Sequence, residues 1–219
     1  MSVLCTCPLG DAIATIAIEN CPENVGQIQK ILFQRRYSSG TTLNEFTTAT
    51  GDPAEVANWT PLLSASDGTK VTVSPYLSQP ETEPGAPVTF GGGNATIGGI
   101  EVIVGRDPTS FTGMFLNVSQ KSVKDMKALE CEANGNEATL AVYFVDEFGQ
   151  IIGISDDIDN PTKVRPIPIR SLFVGDKNFG GFEEPDSNMI QFSLLPNWSD
   201  DLYIVSPSDF DPLTDLANS

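Results

Sequence analysis

VSQKSVKDMKALECEANGNEATLAVYFVDEFGQII, residues 118–152, reads as one amphipathic helix followed by one β-hairpin, and this pair decides the fold class. The helix is expected over Ser119–Cys131. Val123, Met126 and Leu129, with Cys131 near the end, form an apolar stripe, while Lys121, Lys124, Lys127 and Glu130 face away from it. Asn134-Gly135-Asn136 breaks the chain. Ala138–Val145 follows as a strand, Asp146-Glu147-Phe148-Gly149 as the turn, and Gln150–Ile154 as the return strand.

Outward from this pair the chain is β-like. Upstream, Ala12–Glu19 reads as a short isoleucine-rich strand, Cys21–Gly26 as a turn and Gln27–Tyr37 as a strand by its alternation, with a short helix as the alternative. From Ser38 to Gly99 the composition shifts to Thr, Ser, Gly and Pro, which predicts a long loop or inserted arm. Within it, Asp52 and Pro53 could open one helical turn, and Lys70–Val73 is a short strand. Ser78–Pro87 is expected to be loop or extended arm, since its three prolines remove three backbone donors. Ile100–Val104 has the signal of a buried strand, and Phe111–Val118 is another. Downstream, Val164–Phe173 carries Pro166 and Pro168 and is expected at a sheet edge or in a connector. Asn188–Leu195 alternates, with Ile190, Phe192 and Leu194 on one face; Asp201–Val205 is the last strand. In the acidic tail Pro207–Ser219, Phe210, Leu213 and Leu216 are able to dock. The expectation is a mainly β fold: one domain over 1–219, a β-sandwich or partly closed barrel, with one flanking helix at about 119–131 and a Gly/Pro-rich arm over 38–99.

Composition narrows the function classes. The chain has 219 residues, enough for a substantial core without staples. Twenty-nine acids oppose twelve bases, for a net charge of −17. No basic tract is present, so phosphate-driven nucleic-acid affinity is excluded, and so acidic a surface repels DNA. No apolar run approaches the roughly 20 residues of a membrane span. Met1–Gly10 lacks a basic leader region, so the four cysteines are expected as reduced thiols of a protein folded in a cytoplasm.

Few residue patterns carry chemistry. There is no histidine, which removes Ser-His and Cys-His nucleophile arrangements, and no carboxylate pair stands out. Cys5-x-Cys7 with Cys21 and Cys131 supplies four thiolates, but with one intervening residue where zinc sites leave two to four; Cys7 and Cys131 read more simply as small apolar residues. Ser155–Asn160 resembles part of a calcium loop without its glycine or bidentate glutamate, and reads as a solvated acidic loop. No metal, cofactor or catalytic residue is assigned. Arg35, Arg36, Arg165 and Arg170 are scarce bases on an acidic chain and are the candidate subunit contacts, because a self-associating acidic protein needs bases to meet acids across its interface.

The helix Ser119–Cys131 running into Ala138–Ile152, the arm Ser38–Gly99 and the closing Trp198–Phe210 together resemble the tail tube proteins of long-tailed bacteriophages. The stretches Phe148–Gly153 and Asn197–Pro207 are also similar to tail proteins of phages that infect gut Bacteroides. The resemblance implies a β-sandwich flanked by a helix, joined by its sheets into a ring, usually of six subunits. Rings would stack into a hollow tube, with a long loop reaching the next ring. It also implies a virion location after assembly in the host cytoplasm, other virion proteins as partners, an acidic lumen and DNA passing without specific binding. Two other expectations stand beside it: a head decoration, connector or baseplate component, and a carbohydrate-binding β-sandwich using Trp59, Trp198 and Tyr203.

Overall fold

The computed structural model describes residues 16, 24–47, 51–135, 137–157 and 161–218. The expected strand Ala12–Glu19 and the thiols of Cys5, Cys7 and Cys21 lie outside the described residues, Ile16 apart. In chain order the elements are β1 (Ile28–Arg35), β2 (Tyr37–Ser39), β3 (Thr42–Leu43), β4 (Phe46–Thr47), α1 (Val56–Ser64), β5 (Val71–Val73), β6 (Leu77–Glu83), β7 (Pro87–Gly91), β8 (Glu101–Arg106), β9 (Thr109–Leu116), α2 (Gln120–Ala133), β10 (Leu140–Asp146), β11 (Ile151–Ser155), β12 (Lys163–Arg165), β13 (Ile167–Val174), β14 (Ser187–Leu194) and β15 (Leu202–Val205). The fold is mainly β, as the sequence pattern predicts.

β10 is the hub. Its seven residues, LAVYFVD, are all buried, so both of its faces must be covered. β1 runs antiparallel along one edge, with Ile31 opposite Phe144 and Phe33 opposite Val142. The other edge is forked: Phe144 and Val145 pair with β11, whereas Ala141 and Val142 pair with β13. The fork lets the sheet fold over itself. β13, β14, β9 and β6 follow in that order, and Ile190, Phe192, Phe111 and Phe115 face Phe144, Val142 and Ile31 across one core. Phe111 stacks on Phe192 with centroids 4.7 Å apart. Side-chain alternation sends Leu32, Tyr143, Val145 and Ile151 into a second core on the opposite face. There α1 supplies Trp59 and Leu63, and the C-terminal tail supplies Leu216.

α2 begins where expected. Ser119 is its N-cap, accepting a hydrogen bond from Ser122 N at 3.1 Å. Val123 and Met126 are buried as predicted and Leu129 half-buried, but Cys131 is exposed. Ala133 takes the next inward position instead, because the 3.6-residue period has rotated Cys131 out.

Four expectations are corrected. First, α1 is a second helix. Asp52 shapes its approach by accepting from Ala54 N at 2.9 Å, and burial of Trp59 and Leu63 outweighs the cost of Pro61 inside a nine-residue helix. Second, residues 38–99 are not a structureless arm: they contain β2 to β7 and α1. Ser78–Pro87 overlaps β6, which lies at the end of the sheet order and pairs only with β9, so an edge tolerates Pro80 at a bulge between Ser78 and Glu81. Third, β13 is no edge strand. It sits between β10 and β14, and Pro168 is accommodated because pairing with β14 starts at Ile169. Fourth, Ile100–Val104 is not buried. It leads into and forms β8, whose apolar side chains face solvent.

Candidate assembly surfaces

β7 and β8 form a hairpin whose strands pair only with each other. Phe90 lies opposite Val102, and Thr89 opposite Ile103, so alternation puts large apolar side chains on both faces. Ile100 is 67% exposed, Phe90 and Ile103 62%, and Val104 60%. A two-stranded hairpin alone is marginal in water, and apolar side chains clustered at this exposure make it a candidate contact surface. The root is built for close approach: a Cβ on Gly85 would stand 1.9 Å from the Asp107 carbonyl oxygen. Asp107 N donates to Ala86 O at 2.9 Å, and Arg106 Nη1 donates to Asn197 Oδ1 at 2.6 Å, tethering the hairpin to the body. At the tip Gly91 adopts φ +102°, and a side chain there would strike Thr96.

A second surface is the outer face of β13-β14-β9-β6. Here the side chains opposite the buried set pair across strands: Glu83 with Ser110, Glu81 with Thr112, Gln191 with Thr112 and Met189 with Met114. One end of this face is polar and acidic. The other carries Met114, Leu116, Met189 and Phe173, all at least a third exposed.

A third is a groove between α2 and β5. Two adjoining hollows of about 560 and 390 Å³ share Phe33, Lys70, Thr72 and Leu129. Beside it the C-terminal tail reaches β5: Asn218 Oδ1 accepts from Val73 N, and Asn218 Nδ2 donates to Val73 O, each at 2.7 Å. That amide makes the pair of bonds a neighbouring strand would make.

Of the four arginines, Arg36 and Arg165 line one small hollow with Leu43, Asn44 and Ile154. The Arg35 guanidinium grips Glu132 with two bonds of 2.8 and 2.7 Å, which holds the Glu132 carboxyl below its ordinary pKa. Arg165 Nε donates to Glu45 at 2.8 Å, and Lys163 meets the same carboxylate at 3.0 Å. Arg36 lies over the Tyr37 ring at 5.2 Å, and Arg170 is exposed on β13. Three of the four therefore already serve contacts within the chain.

Among the described residues no group of three or more His, Cys, Asp or Glu side chains is placed to hold a metal. In the acidic loop the Asp156 carboxylate is occupied by Thr162 Oγ1, Thr162 N and Lys163 N, which lower its pKa to about 2; residues 158–160 are outside the described set. Trp59 is fully buried, its indole N–H bonded to Pro53 O at 2.8 Å, so it offers no platform for a sugar. Trp198 and Tyr203 are half-buried. Comparison of the chain with protein-family models, curated proteins and solved structures finds no match. No helix among the described residues is long and apolar enough to cross a membrane.

Sequence reasoning missed one structural carboxylate. Asp146, read only as a turn residue, is fully buried, and its oxygens accept from Gly26 N, Phe148 N and Gln150 N at 3.0, 3.0 and 2.8 Å. An aspartate opening a turn is the available signal, since its side chain can bond backbone two residues on.

Proposed function

We propose that this chain is a virion structural protein that self-assembles into stacked rings, forming a tail tube through which DNA passes. The observation that carries the reading is the hairpin Pro87–Arg106, with apolar side chains more than half exposed on both faces. Such a hairpin is costly to leave in water and gains stability when a neighbour covers it. The free edge of β6 supports the same reading, because it can be closed by a strand of the next subunit, as rings do. The charge supports it too. At −17 the chain repels phosphate, and the bare face with Glu81 and Glu83 suits a bore that DNA traverses without sticking. Other virion proteins would cap or anchor such a tube, and it would assemble in the host cytoplasm.

The test is electron microscopy with parallel mass measurement over a concentration series, on the full chain and on a chain with residues 87–106 replaced by a short Gly-Ser link. Rings or tubes with a central hole are expected for the full chain, and monomers for the shortened one. A full chain that stays monomeric at high concentration overturns the proposal.

A further inference from the structure

We infer that the hairpin of one copy seats in the groove between α2 and β5 of a second copy, joining the two head to tail. The inference rests on the self-assembly proposed above and names the surface that receives the hairpin.

Three observations carry it. The first is charge. On a chain of net −17, residues 87–100 contain no charged side chain. The groove is locally neutral: Lys30, Arg35 and Lys70 line it against Asp67, Asp125 and Glu132. These are surfaces on which two acidic copies can meet without strong repulsion.

The second is size and shape. A standard interface uses roughly 20–30 residues a side, and β7, its tip and β8 span residues 87–106. The two hollows adjoin as one trough, with Phe33 and Leu129 shared between them and Met126 in the larger as apolar lining. An extended strand carrying Phe90 can lie along it with its apolar face down. At Val73 the edge of β5 is already taken by Asn218 of the same chain, so the hairpin seats on the side chains of the trough and not on that edge.

The third is position. Pro75, at one end of the groove, stands two residues before β6, and the hairpin begins four residues after β6 ends. A seven-residue strand, about 23 Å long, separates donor from acceptor. Donor and acceptor are different patches on one molecule; passed one way, from each copy to the next, the contact is heterologous and propagates as a ring or a stack, whereas reciprocal exchange would close a two-fold dimer.

The decisive experiment places the photo-crosslinker p-benzoylphenylalanine at Phe90 in the full chain and maps adducts by mass spectrometry after irradiation. Covalent dimers with adducts on Phe33, Lys70, Thr72, Met126 or Leu129 are expected. Adducts concentrated elsewhere on the second copy overturn the groove while leaving self-assembly standing. Absence of dimer, together with monomers in the microscope, overturns both. Thr72→Trp, which fills the trough, should raise the concentration needed for assembly at least tenfold with an unchanged circular dichroism spectrum. Mixed with the hairpin-shortened chain, it should form one-to-one pairs only, since one partner supplies the hairpin and the other the groove. Assembly of Thr72→Trp at the wild-type concentration overturns the inference.

Discussion

Replacing Tyr143 by phenylalanine should stabilise the fold. Tyr143 is fully buried in the second core, 5.3 Å from the Trp59 ring centroid and 6.2 Å from that of Phe46. Its hydroxyl has no hydrogen-bond partner among the described residues. A buried polar group left unpaired costs about 1–3 kcal/mol, whereas the aromatic contacts survive the substitution and the lost volume is a single atom. The expected gain is therefore about 1–2 kcal/mol, read as a higher urea midpoint with an unchanged slope and a melting temperature higher by roughly 2–8 °C for a chain of this size. The measurement belongs at protein concentrations where the mass is that of a monomer, because assembly would add its own stabilisation. A second readout is spectroscopic. Burial pushes the Tyr143 phenol far above its ordinary pKa, so it should contribute no tyrosinate absorbance until the chain unfolds. A loss of more than about 0.5 kcal/mol in the Phe variant would refute the reasoning, because it would mean that the hydroxyl is paired, through an internal water bridging it to the chain.

Gly153→Ala should destabilise by about 1–3 kcal/mol in the same assay, since its Cβ would lie 2.6 Å from Arg165 O and 3.0 Å from the Tyr143 ring. Asp146→Ala orphans three backbone N–H groups and should cost about 3–5 kcal/mol; Asn, which keeps the Oδ1 bonds and loses the one to Gly26, should cost about half as much in urea unfolding. Ser119→Ala removes the cap of α2 and should cost about 1 kcal/mol by the same measurement. For the Arg35–Glu132 pair the sign follows from the lowered Glu132 pKa. Its contribution is fully present above the unfolded carboxyl's pKa near 4.5 and is lost as pH falls through the lower folded value. In Arg35→Gln the NMR titration midpoint of Glu132 should move up toward 4.5, and an unmoved midpoint would show that the arginine is not its cause.

The helix and hairpin that opened the sequence reading were legible because they follow simple periods. Val123 and Met126 recur at helical spacing, and Ile190, Phe192 and Leu194 alternate; each is buried in the structure. α1 was legible only as one helical turn opened by Asp52 and Pro53, because its signal is short, interrupted by Pro61 and dependent on a distant Tyr143. β8 failed for the opposite reason. Val102, Ile103 and Val104 have the composition of a core strand, and hydrophobicity alone cannot distinguish a strand buried by its own chain from one left exposed. Among the candidate contacts, Arg35 and Arg165 could not be separated from Arg170 without knowing that Glu132 and Glu45 fold beside them. The groove is invisible in sequence, since its walls come from α2, β5 and the C-terminal tail.

The fork at β10 has a mechanical consequence. A load entering through the hairpin passes along β9, whose eight residues are all in register with β14, and then into β13. It reaches the hub strand through only two register pairs, Ala141 with Pro168 and Val142 with Ile167. Pulled along the hairpin, the molecule should yield first at this junction, leaving β1, β10 and β11 intact behind it. The fork that lets the sheet fold over itself is thus also the place where a molecule stretched through its hairpin would absorb strain.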